Sequence, residues 1–292
     1  IANSFIEIIV KFYQEKVSLK NDIIIFLQSS CLDSENYCII VEKILPLIYE
    51  DLSNIDSLPP KVGLTILEFI NSDLMDKYPN MIEIFLSQFL SVILHISQLF
   101  NLDDNPEFFV EDEWELFNAA QDIIKTLLTS QEYSKEVMTI VFNSILPFIE
   151  EGLVSDDIHY RSVSMNFLNY SMMSIDPELI NQSISSSIVN QSIMQTIENQ
   201  YCRVRYYAFN LLYSSYNLYG LDIASQYIEY LFKSVFDCEP IAFNAINILS
   251  LIGKDEKFTL IDPYFQSIQE ILTADQLLNN SSVLQDFTNL LL

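Results

Sequence analysis

Arg203-Val204-Arg205-Tyr206-Tyr207-Ala208-Phe209-Asn210-Leu211 is the stretch on which the reading of the fold turns. A Val-Arg pair opens it, a small residue stands three positions after Arg205, and Leu follows three later. Val204, Ala208, Leu211, Leu212 and Ser215 then fall on one side of a helix. Looser versions occur at Tyr160-Arg161-Ser162-Val163-Ser164-Met165-Asn166-Phe167 and at Pro240-Ile241-Ala242-Phe243-Asn244-Ala245-Ile246-Asn247-Ile248-Leu249. A third, looser still, is Asn118-Ala119-Ala120-Gln121-Asp122-Ile123-Ile124. The small residue allows the two helices of a hairpin to approach closely. The aliphatics around it interlock with the next hairpin, and the Arg reaches between repeats to satisfy carbonyls and acids.

Outward from these openings, helical spacing dominates. Phe5, Ile8, Ile9, Phe12 and Tyr13 recur at one-turn intervals, as do Ile39, Ile40, Lys43, Ile44, Leu47 and Ile48. Ile44-Leu45-Pro46-Leu47-Ile48 returns as Ile145-Leu146-Pro147-Phe148-Ile149, with acidic residues close behind each. Breaks fall between such segments, at Leu58-Pro59-Pro60, Lys77-Tyr78-Pro79-Asn80, Asn105-Pro106, Asp176-Pro177 and Asp262-Pro263. Asp or Asn before Pro supplies an N-cap followed by a residue suited to the first helical position. Period-2 runs are missing, and so are the Asn-Gly and Asp-Gly turns of hairpin sheets. The expected fold is all-α, an α-α superhelix of HEAT- or armadillo-type hairpins, whose period of about 40 residues predicts roughly seven pairs. No charge-rich or Gly/Ser linker divides the chain, so residues 1–292 are expected to form one continuous solenoid, which grows by adding interfaces rather than one core. The apolar ends, Ile1 and Leu290-Leu291-Leu292, read as those of a piece of a longer protein.

Composition narrows the function. The 292 residues carry 14 Lys and Arg against 40 Asp and Glu, a formal net charge of −26. That imbalance repels a phosphate backbone and selects basic partners, through a field that salt screens over about 8–10 Å. Disorder is excluded by 20 Phe and 16 Tyr. Only four Gly are present, too few for phosphate-cradling loops or tight catalytic turns. The two histidines, His95 and His159, form no Ser/His/Asp or Cys/His pattern, and His95 reads as a core residue of an apolar helix. No enzyme, cofactor or metal site is expected. Cys31 and Cys38 lie seven apart, Cys202 and Cys238 stand alone, and no CxxC occurs. All four read as small apolar fillers. Met81 to Phe100 has the length of a membrane span, but its Glu83, Ser87, Gln88, His95, Ser97 and Gln98 make it a buried core helix instead.

The candidate basic-cargo contacts form one cluster: Asp103, Asp104, Glu107, Glu111, Asp112, Glu113 and Glu115 around Phe108, Phe109 and Trp114. Acidic groups would attract Lys and Arg while the rings hold their stems. The same residues also read as a solvated loop whose rings plug the core beneath it. Tyr206, Tyr207, Tyr213, Tyr216 and Tyr219 are candidates for shallow apolar grooves between helices, or for core packing.

Asn105-Pro106-Glu107-Phe108-Phe109-Val110-Glu111-Asp112-Glu113, followed by the helix opening Ala119-Ala120-Gln121, resembles a segment of the importin-β (karyopherin-β) superfamily. The later order, Arg203 to Tyr213, Glu239-Pro240 and Asp262 to Phe265, is also similar. The likeness is greatest to the branch holding importins seven, eight and nine and the exportin that recycles the import adaptor. It covers about residues 100–292. It implies a central fragment of a nuclear transport receptor that shuttles between cytoplasm and nucleus, is switched by the GTPase Ran, and meets the Phe-Gly repeats of pore proteins. Cargo would be basic protein wrapped by a concave acidic face. The rival reading is a HEAT-repeat scaffold, a phosphatase regulatory subunit or vesicle-coat component, with no transport role.

Overall fold

The computed structural model describes residues 2–29, 34–78, 80–100, 116–235 and 237–256. Among these there are helices and no strands. They group into two compact units, each built from α-hairpins.

The first unit begins with α1 (Ala2–Glu15), α2 (Val17–Ser29) and α3 (Ser34–Ser53). After a 3-10 turn at Ile55–Ser57, α4 (Pro60–Phe69) runs through a π turn (Ile70–Leu74) into α5 (Met75–Lys77). A second rod joins α6 (Met81–Ile84), a π turn (Phe85–Phe89) and α7 (Leu90–Ile96), and α8 (Leu116–Thr129) pairs with it. The hairpins are therefore α1/α2, α3/α4 and α7/α8. First helices stack as α1 on α3, and second helices as α2 on α4 on α8. The Met81 rod buries Met81, Phe85, Phe89, Ile93 and Ile96 on one side. Its polar residues explain why it packs as a core helix: Glu83, Ser87, Gln88 and His95 all point to solvent. No helix among the described residues is long and apolar enough to cross a membrane. His95 is thus exposed rather than a core histidine, because the rod's buried stripe passes through Ile93 and Ile96 on either side of it.

Among the described residues of this unit one ion pair is buried. Lys20 Nζ lies 2.5 Å from Asp51 Oδ1, with side chains only 9% and 11% exposed, and 5.1 Å over the Tyr13 ring. Burial and the Asp51 carboxylate together push the Tyr13 hydroxyl's pKa upward, so this phenol stays neutral.

The second unit holds α9 (Lys135–Leu153), α10 (Ile158–Ser174), α11 (Pro177–Ser183), α12 (Ser186–Thr196) and α13 (Cys202–Tyr219). It continues with α14 (Leu221–Ala224), a 3-10 turn at Ser225–Tyr227, α15 (Ile228–Ser234) and α16 (Glu239–Glu256). Hairpins are α9/α10, α12/α13 and α15/α16, and the second helices stack as α10 on α13 on α16. Of the Asp- or Asn-Pro breaks, Asp176-Pro177 carries its expected cap, while Asn105-Pro106 and Asp262-Pro263 lie outside the described residues. Asp176 accepts from the Glu178 amide at 2.8 Å with Pro177 opening α11, and Asp157 accepts from the His159 amide at 2.8 Å at the start of α10. Gly220 closes α13 at φ 73°, a left-handed position that a side chain would strain. Pro46 and Pro147 sit inside the first helices α3 and α9 on their exposed sides. There each missing amide faces water instead of the core.

The repeat opening explains the hairpin contact. Ser164 stands three positions after Arg161, as Ala208 does after Arg205, and both are fully buried. A Cβ at Gly152 of α9 would stand 1.9 Å from Ser164 Oγ, so only glycine allows α9 and α10 this approach. Ser164 Oγ uses the proximity to donate to the Phe148 carbonyl at 3.2 Å. Held by α9 on one side and α13 on the other, α10 is buried at every position from Arg161 to Asn169.

Candidate protein-binding surface

The second helices of the second unit carry the repeat openings and the tyrosines singled out in the sequence. The Val204, Ala208, Leu211, Leu212 and Ser215 side of α13 is fully buried. Its opposite side presents Tyr206, Asn210, Tyr213 and Asn217, four residues one turn apart. Along α16 the corresponding residues are Phe243, Asn244 and Asn247, and α10 contributes Tyr170 and Met173. Tyr213, Phe243 and Met173 are 37%, 42% and 67% exposed.

Amides knit this face across the helices. Asn244 Nδ2 donates to Asn210 Oδ1 at 2.6 Å between α16 and α13, and Ser214 Oγ donates to Asn169 Oδ1 at 2.6 Å between α13 and α10. Asn166 Nδ2 donates to the Tyr170 hydroxyl at 3.1 Å. The face carries no carboxylate among the described side chains, although the chain's net charge is −26. Glu150, Asp156, Glu178, Glu198 and Glu229, on first helices and connections of this unit, are exposed. The surface therefore offers aromatic rings and amides, suited to apolar side chains and peptide main chain, flanked by negative charge.

The tyrosines divide between the two expected fates. Tyr207 and Tyr216 are buried, Tyr206 and Tyr219 are half-buried, and Tyr213 is exposed. The arginines behave as the repeat predicts. Arg205 forms a fork on Asp237, Nε to Oδ2 and Nη2 to Oδ1 at 2.7 Å each, while Nη1 donates to the Asn199 and Gln200 carbonyls at 2.7 and 2.8 Å. Asp237 raises the pKa of the Arg205 guanidinium further by hydrogen bonding and charge, which keeps the fork ionised. Arg161 likewise donates to the Ser155 carbonyl.

The acidic cluster Asp103, Asp104, Glu107, Glu111, Asp112, Glu113, Trp114 and Glu115 lies outside the described residues, as do Asp262 to Phe265 and Cys31. Cys202 and Cys238 do not stand alone. Their sulfurs and an Asp237 carboxylate oxygen all lie within 4.8 Å of one another. A spacing of 36 positions hides this pairing, and the available signal was that both cysteines occupy the starts of homologous repeat helices. In the first unit, Gln28, Leu67, Glu68, Asn71, Ser72 and Ala119 line a groove of about 290 Å³ in which no catalytic set converges.

The helical hairpins of each unit are stacked, with arginines at the openings of α10 and α13, and solved structures that match this arrangement include karyopherins. No family model matches the chain, and no curated protein matches it in sequence. Among solved structures, it is similar to Kap121p bound to Pho4p, with a TM-score of 0.61 and 16% identity over 92% of this chain and 27% of that one. The Kap95:Nup1 complex matches with a TM-score of 0.65 and 13% identity over 99% of this chain and 35% of the other. Kap121p bound to RanGTP matches with a TM-score of 0.64 and 15% identity over 97% and 29%. The chain thus has the helical-hairpin fold of these karyopherin structures, and spans between a quarter and a third or so of their length.

Proposed function

We propose that this chain is part of an importin-like nuclear transport receptor of the large-importin branch, one continuous solenoid that binds basic protein cargo under the control of Ran. The observation that carries this reading is the hairpin fold, which follows karyopherin structures over nearly the whole chain. The net charge of −26 supports basic cargo, since a field of that size raises the encounter rate with cationic proteins. Asp103 to Glu115 supplies the cargo contacts. The ring-and-amide face of α10, α13 and α16 takes apolar peptide, and Phe-Gly segments of pore proteins are its natural ligand. In the cell the receptor shuttles between cytoplasm and nucleus.

Capture of histones and ribosomal proteins on the immobilised chain tests the proposal, with and without GTP-loaded Ran and across a salt series. Binding at low salt that falls steeply as salt rises supports it. Indifference to basic proteins at every salt concentration, with a stable heteromeric partner recovered instead, would favour a HEAT-repeat scaffold.

A further inference from the structure

Cys202 is the first residue of α13, and Cys238 immediately precedes α16. Two thiols are thereby held at the starts of successive second helices, within 4.8 Å of each other and not in a disulfide. Their surroundings differ. Cys202 is 3% exposed, whereas Cys238 is half-buried and reachable. The Cys238 sulfur lies beside the Cys202 sulfur at the start of α16, where the Ile241 amide donates to the Cys238 carbonyl at 3.0 Å and the Arg205 guanidinium is held on the adjacent Asp237. These contacts hold the Cys238 thiol below its ordinary range, against burial and the Asp237 charge. Cys202 is pushed upward by the neighbouring Cys238 sulfur and by burial. One thiol is thus accessible and activated, and the other is protected and adjacent.

We propose that Cys202 and Cys238 form a redox-active dithiol site that a peroxide closes into a disulfide. The Cys238 thiolate attacks one peroxide oxygen, the O–O bond breaks, and hydroxide leaves and takes a proton to become water. Cys238 is then a sulfenic acid. Cys202 attacks that sulfur as the S–O bond breaks, and its thiol proton goes to the departing hydroxide, giving a second water. Two thiols lose two electrons and the peroxide gains them. Closure to the S–S length of about 2.05 Å ties the start of α13 to the start of α16, alongside the Arg205–Asp237 fork. Asp237 does not turn the pair into a metal centre, since both its oxygens are engaged by Arg205 and Oδ1 also accepts from the Cys238 amide at 2.8 Å.

The test treats the reduced chain with equimolar hydrogen peroxide in the presence of a chelator, then alkylates, digests and weighs the peptides. The expected product is a linked peptide containing Cys202 and Cys238, with Cys38 still alkylated and the link reversed by a thiol reductant. Cys202→Ser is expected to leave Cys238 as a sulfenic acid that a cyclic dione captures, and Cys238→Ser to leave Cys202 unreacted. Two results would overturn the assignment: unchanged alkylation of both thiols after peroxide, or a link to Cys38 in place of this pair. The wild-type peptide mass decides the matter even where a variant fails to fold.

Discussion

The Arg205–Asp237 fork shows how much one side chain can organise. Four donors of a single guanidinium reach two backbone carbonyls and both oxygens of a carboxylate 32 positions away. Both side chains are less than a fifth exposed, so water replaces little of what is lost when the fork breaks. Asp237→Ala is expected to lower unfolding stability by about 2 kcal/mol, the range of hydrogen bonds to a charged group, read as a drop in the urea midpoint. Asp122 of α8 behaves oppositely. Burial pushes its carboxyl above the ordinary aspartate range, and Lys125 at 3.8 Å only partly offsets this. The folded chain therefore holds that proton more tightly than the unfolded one. The stability from this group is complete below the unfolded value and is lost as pH rises through the raised folded value. Asp122→Asn is expected to raise the neutral-pH denaturation midpoint and to leave the midpoint well below pH 3.8 unchanged. A pH series of urea melts checks the sign.

At the scale of the element, the hairpin joint is sterically defined. Gly152 of α9 faces Ser164 of α10 with no room for a methyl group. Gly152→Ala is expected to cost about 1–3 kcal/mol through forced separation of the two helices, measured by thermal or urea unfolding. Pairing with Ser164→Gly should recover part of that loss. Periodicity served well for α13, whose Val204, Ala208 and Leu211 side is buried as read. It served poorly for α1, where Ile6, Ile9 and Tyr13 are buried while Phe5, Ile8 and Phe12 are 44–49% exposed. The apolar arc on α1 is wider than the contact it makes, and spacing alone does not say which edge faces α2 and α3. In α10 the small residues Ser162, Ser164 and Ser171 lie fully buried. Polarity in the sequence there marks close packing between two neighbouring helices, not a solvated side.

At the scale of the whole molecule, charge and apolar surface are partitioned. Exposed carboxylates such as Glu150 and Glu229 stand on first helices of the second unit, while the described side chains of the second-helix face are rings and amides. Tyr213→Ala and Phe243→Ala are expected to weaken binding of a Phe-Gly peptide about tenfold in combination, in line with the loss of two aromatic anchors at a binding surface. Melting should change little, because both side chains are more than a third exposed. Fluorescence titration with the peptide, beside a thermal melt, separates the two effects, and unaltered affinity would remove this face from the binding surface.

Helix class, hairpin period and the arginines at the α10 and α13 joints were set by the sequence alone, because they depend on local spacing and on residue sizes that repeat along the chain. So was the negative field, which is a sum over residues and needs no coordinates. The tertiary structure decided what depends on partners distant in the chain. It chose which side of α1 is covered, turned His95 outward, gathered Tyr213, Phe243 and Met173 on one uncharged face, and brought Cys202 against Cys238. Those outcomes follow from how one hairpin stacks on the next, a geometry that no single segment encodes.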